Sequence, residues 1–142
     1  MNQTIFECAL RFLVLLESSG KLMSEYELVT FDYISTFGRD FGIADYNLNG
    51  DNVYRDSEYY TRRKIASEAI RTLVLRGFVD VDDSDGFRYR ISEKGISVAD
   101  RVDGAYQATY TELTKKAFEK YGEYSETSII QLIERFILEG RK

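Results

Sequence analysis

The sequence predicts a mainly α domain with a small β-hairpin, a winged helix-turn-helix followed by additional C-terminal helices. Three observations predict it. Residues 57–76 set Ala66, Ala69, Ile70, Leu73 and Val74 on one face of a helix, and Gly77 follows, the residue that most readily takes the left-handed cap. Two β-type runs, 78–82 and 87–91, flank Asp83-Ser84-Asp85-Gly86, and Asp-Gly between alternating runs is a hairpin signal. Ser92 then stands where the N-cap of a further helix belongs. At 142 residues the chain reads as one domain, 1–142, with its wing at 78–91 and a C-terminal helical pair at 105–139.

The elements follow in order. Residues 3–18 are apolar nearly all round, which predicts a helix buried on most faces, either centrally or under a partner. Ser24 caps a second helix running to about Phe37, and Gly38 and Gly42 stop it. Residues 39–55 form an irregular loop rich in Asn, Asp and Gly, long enough to be functional or mobile. After the hairpin, 92–102 is a short helix. Tyr106, Tyr110, Leu113, Ala117 and Phe118 make the stripe of the next helix, and Ile129, Leu132, Ile133, Phe136 and Ile137 that of the last, which Ile130 widens. Two readings of this pair stand side by side: completion of the core, or a dimer or partner surface.

Composition excludes more than it includes. No histidine is present, which removes Ser-His-Asp and Cys-His nucleophile activation and histidine-containing zinc sites. No glycine-rich phosphate loop or dinucleotide fingerprint occurs. A non-enzyme is expected, with no catalytic residues, cofactor or metal. The net charge of −5 opposes whole-surface binding to nucleic acid or anionic membrane. The wing sets four aspartates (Asp80, Asp82, Asp83, Asp85) against Arg88 and Arg90, which repels phosphate and suggests a protein partner. A single cysteine, Cys8, fits a reducing compartment and packing as a small apolar residue. The run 12–16 is too short and too closely flanked by charge for a signal peptide, so a cytoplasmic location is expected.

Three constellations invite chemistry. The segment from Asp45 through Asn47, Asn49, Gly50 and Asp51 to Asp56 nearly matches a calcium loop. Asn52 replaces an apolar residue, Asp56 replaces the longer glutamate and no uninterrupted helix enters, so ordinary turn chemistry is the expected reading, without calcium. Arg62-Arg63-Lys64 resembles a DNA-reading patch, yet at 100° per residue Arg62 and Arg63 fall beside Ala66 and Ile70 on the apolar stripe. A partly buried ion pair is expected, Asp32 with Arg62 or Asp32 with Arg63, and Asp32 as a rim carboxylate in water is the alternative. The row Tyr26, Tyr33 and Phe37 on the second helix is read as core.

The residues also resemble a family. Leu13-Val14-Leu15-Leu16, Leu28 through Phe31-Asp32-Tyr33, Ser57-Glu58 with Arg62-Arg63, and Leu73 through Arg76-Gly77-Phe78-Val79, then Gly86 and Tyr89, look like the small middle component of bacterial ABC-three-component systems, the group that includes Lamassu anti-phage operons. The resemblance runs from about Phe6 to Ile137 in the same order. The departure is the loop 38–56, where relatives tend to carry Pro and His and this chain has neither. What the resemblance implies is a non-catalytic adaptor linking an SMC/Rad50-like ATPase to an effector, typically a nuclease, with DNA contact only indirect or within the complex. Partner contacts are expected at Leu75, Tyr106, Tyr110, Ile130 and Ile137. The alternative is a dimeric winged-helix transcriptional regulator reading DNA through Lys64, Arg71, Arg88 and Arg90.

Overall fold

The computed structural model describes residues 4–50 and 55–140. Six helices and a three-stranded antiparallel sheet occur among them. Helix α1 (Ile5–Ser19) starts at Thr4, whose hydroxyl accepts from the Glu7 N–H at 3.0 Å. It ends at Gly20, which takes φ 64° and donates its N–H to the Leu16 carbonyl. Its continuous run of buried residues, Arg11 to Leu16, has a simple cause: α1 is the central element, packed on α2, α3, α4, α5 and β3.

Strand β1 (Met23–Ser24) leads directly into α2 (Glu25–Thr36). Ser24 and Glu27 form a reciprocal capping box there, which satisfies two backbone donors at the helix start. The segment 38–50 is folded onto the core. Arg39 N–H donates to the Asn47 side chain at 2.9 Å, Leu48 N–H reaches the Thr36 carbonyl at 3.0 Å, and Phe41 is buried. Asp51, Asn52 and the side chain of Asp56, part of the calcium-loop pattern, lie outside the described residues.

Helix α3 (Arg55–Leu75) ends one residue before the expected boundary, and Gly77 at φ 74° turns the chain into β2 (Val79–Asp82). β2 pairs with β3 (Arg88–Ile91) in the register Val79↔Ile91, Val81↔Tyr89 and Asp82↔Arg88. The expected hairpin gains a third strand, because Met23 pairs with Tyr89 and the order is β1-β3-β2. Two residues are too short to carry a period-2 signal, so β1 exists only because the folded chain brings β3 beside it. Ser92 caps α4 (Glu93–Arg101) through the Gly95 N–H.

The C-terminal helices α5 (Ala105–Tyr121) and α6 (Glu126–Gly140) complete the core, α5 against α1 and α2 and α6 against α2 and α3. Here two expected partner residues are corrected. Tyr110 is fully buried and Ile137 nearly so, because both point into the seam with the preceding helices. An aromatic group of Tyr33, Phe37, Phe41, Tyr59 and Phe136 locks α6 to α2 and the loop, with Phe41 and Phe136 centroids 4.5 Å apart. Tyr33 and Phe37 are therefore core as expected, and Tyr26 is half-buried. Among the described residues no helix is long and apolar enough to cross a membrane.

Candidate protein-interaction site

One buried polar network ties four of the helices together. Asp32, fully buried on α2, accepts from Arg11 Nε at 2.8 Å and Nη2 at 3.2 Å, and from the Tyr110 hydroxyl at 2.5 Å. Arg62 on α3 approaches the same carboxylate at 3.4 Å, donates to Thr36 Oγ1 at 2.6 Å and pairs with Glu58 at 3.1 Å. Four helices thus meet at one carboxylate. Burial pushes the Asp32 carboxyl up, but Arg11 and Arg62 outweigh it and hold the group below its ordinary value. Burial followed by the Asp32 charge pushes the Tyr110 hydroxyl well up, and the same two causes bring the neighbouring Cys8 thiol to about 12. Such a thiol stays protonated and inert.

Of the two arginines offered as alternative partners for Asp32, Arg62 is beside it. Arg63 is not: it is exposed and stands over the Tyr26 ring at 5.0 Å. Arg11 and Tyr110 were missed as members of the network. Arg11 had a signal, a single cation between Leu10 and Phe12 in an apolar helix, since a cation buried there needs a counter-charge.

Above this core, the apolar interior runs out to the surface between α3 and the hairpin. On α3 the series goes from buried Ile70 to Val74 (36% exposed) and Leu75 (75%). On the hairpin it goes from buried Val79 to Val81 (45%) and Phe87 (67%). Val79 and Val81 alternate with Asp80 and Asp82, so one hairpin face is apolar and the other charged. Between α3 and the hairpin lies a groove of about 300 Å³, lined by Ile70, Val74, Leu75, Val81, Phe87 and Tyr89, with Glu25, Ser67 and Arg71 at its polar margin.

The hairpin tip is anionic. Ser84 donates its N–H and hydroxyl to Asp82 Oδ1 at 2.9 and 2.6 Å, and these bonds hold the Asp82 carboxyl below its ordinary value. Arg88, a DNA contact in the alternative reading, is half-buried and engaged by two carboxylates. It pairs with Glu27 at 3.1 Å and Glu126 at 3.8 Å, bracing the sheet against α2 and α6. Lys64, Arg71 and Arg90 are exposed, with Arg71 at the groove margin.

A second uncovered face lies at the other end of α4. Tyr106 (44% exposed) donates to Asn49 Oδ1 at 3.2 Å and lines a pocket of about 280 Å³ with Glu7, Leu10, Arg11, Val102 and Gln107. Exposed Phe6 (66%) sits on the same end of α1. The N-terminal end of α4 meets the hairpin, where Ser92 N–H donates to the Phe78 carbonyl, and its C-cap Val102 lines this pocket. Nine helical residues between them span about 13 Å. Ile130, the remaining expected contact residue, is half-buried on α6. Among the described residues, no group of three or more acidic or cysteine side chains is gathered to hold a metal ion.

Residues 1–141 match the family described as ABC-three component (ABC-3C) system Middle Component 2. The chain belongs to that family. The match takes in the whole span, 6–137, over which the sequence resembles such middle components. No curated protein and no solved structure matches the chain. As a Middle Component 2 chain it is one part of a multi-subunit system, and partner proteins come with that membership.

Proposed function

We propose that this Middle Component 2 chain is a non-catalytic winged-helix adaptor, in which α1–α3 and the three-stranded sheet are the winged helix and the hairpin is its wing. It joins an SMC/Rad50-like ATPase to an effector, a nuclease by class, in a cytoplasmic defence complex of the Lamassu kind. The observation that carries this reading is the groove between α3 and the hairpin, where core side chains continue uncovered to Leu75 and Phe87. Large apolar groups rimmed by polar residues mark interaction surfaces. The second face around Phe6 and Tyr106 gives such an adaptor a separate place for its other partner.

The DNA-reading alternative has less support. The wing carries four aspartates, and Arg88 is already held by Glu27 and Glu126. The test is coexpression with the products of neighbouring genes followed by size-exclusion chromatography. A single particle holding this chain, a coiled-coil ATPase and an effector is expected, and Leu75→Asp should release this chain from it while the isolated domain stays folded. If the chain instead elutes as a stable dimer with both neighbours present, or binds duplex DNA at physiological salt and loses that on Arg71→Ala, the adaptor reading is wrong.

A further inference from the structure

We infer that the groove between α3 and the hairpin receives an amphipathic helix with a basic flank, supplied by a partner subunit. The inference rests on the adaptor reading only for who supplies that helix. The lining is apolar along two walls, Val74 and Leu75 on α3 and Val81 and Phe87 on the hairpin. A helix presents large side chains at i, i+3, i+4 and i+7, a stripe that lies along such a trough. Strand addition fits less well. The sheet's edges are β1, two residues long, and β2, four residues long and bearing Asp80 and Asp82, the charge and shortness that blunt an edge.

The charge follows from the hairpin. The groove margin carries one charge of each sign, Glu25 and Arg71, so the bias comes from the hairpin tip, where Asp83 and Asp85 are exposed beside Phe87 and Arg88 is engaged by Glu27 and Glu126. An incoming helix therefore meets apolar surface first and negative charge at the hairpin end. Lysine or arginine flanking its apolar stripe is attracted there, and an acidic flank is repelled. Exposed pairs of this kind add selectivity and on-rate more than affinity, so the apolar anchors hold the helix and the flank chooses which helix is held.

The test uses the full chain, labelled with nitrogen-15, and two synthetic helical peptides of about 18 residues, or five turns. Both carry leucine at i, i+3, i+4 and i+7, one with lysine flanks and its twin with glutamate flanks. The lysine peptide should shift amide resonances at Val74, Leu75, Val81 and Phe87, and bind at least about tenfold more tightly than its twin. Raising salt from about 0.05 to 0.5 M should weaken it, as should the pair Asp83→Lys and Asp85→Lys. Phe87→Ser, at an exposed position, should abolish the shifts while circular dichroism is unchanged. Equal binding of both peptides, shifts centred elsewhere, no binding, or concentration-dependent broadening of the groove from self-association would each overturn the inference. Because the peptides need no operon partner, failure to copurify with neighbouring gene products sinks the adaptor reading alone, and equal peptide binding sinks the groove chemistry alone.

Discussion

Arg11 on α1 and Asp32 on α2 close on each other as a two-pronged pair, Nε to Oδ1 at 2.8 Å and Nη2 to Oδ2 at 3.2 Å, with Asp32 fully buried and Arg11 nearly so. Two parallel bonds to one carboxylate fix an angle as well as a distance, so the pair sets how α1 crosses α2. Arg62 and Tyr110 then bring α3 and α5 to the same point.

Asp32→Ala should therefore be among the most damaging single substitutions in the chain. It leaves two arginines facing each other without their shared counter-charge, at a cost of roughly 3–5 kcal/mol. Urea denaturation with matched slopes would measure it. An unmoved midpoint would show that the network contributes nothing to stability.

Acid should act through the same carboxyl. The folded Asp32 lies below its ordinary 3.8, so its stabilisation is fully present above that pH and is lost as pH falls through the lower folded value. The deficit of Asp32→Asn relative to the native chain should accordingly be largest near neutrality and shrink below pH 3.8. Tyr110→Phe, which removes a hydrogen bond to a charged group, should cost about 1.5–3 kcal/mol at neutral pH. Thermal melts across the acid range check both.

Glu17 behaves in the opposite sense. Partial burial and then a hydrogen bond with Asp100 raise its carboxyl above the ordinary 4.5. The proton it keeps favours the folded state below that pH, and the advantage is lost as pH rises through the raised folded value. Glu17→Gln should raise the melting temperature at pH 7 and leave it unchanged near pH 3. A variant no more stable at pH 7 would mean that Lys115 already compensates the pair.

Gly95, inside the first turn of α4, should resist the usual benefit of alanine in a helix. Alanine gains about 1 kcal/mol of helix propensity over glycine. Its Cβ here would run into the Phe78 carbonyl oxygen and lie 2.8 Å from Ile91 Cγ1. That carbonyl already accepts from Ser92 N–H at 3.0 Å and so cannot step aside. Overpacking costs typically about 1–3 kcal/mol, so Gly95→Ala should be net destabilising by about 1 kcal/mol or more. Chemical denaturation of the purified variant decides it.

Local chemistry by itself determined where most elements begin and end. The Ser24 cap, Gly77 and the Ser92 cap act within three or four residues of themselves, and a short-range rule reads such positions directly. The all-round apolarity of α1 likewise stated that it would be enclosed, and the turn around Gly86 stated that a hairpin would form. Only the tertiary structure decided which candidates met. Arg62 and Arg63 are neighbours 100° apart on α3, so periodicity put both beside the apolar stripe, and the crossing of α2 took one and left the other over Tyr26. Tyr110 and Ile137 lie on stripes that look the same whether a helix of this chain or another covers them, and here this chain covers them. Leu75 and Phe87 are twelve positions apart, and nothing local to either says that α3 and the hairpin leave a groove between them. Sequence pattern records that a face is apolar. The packing of distant elements determines which apolar faces stay open.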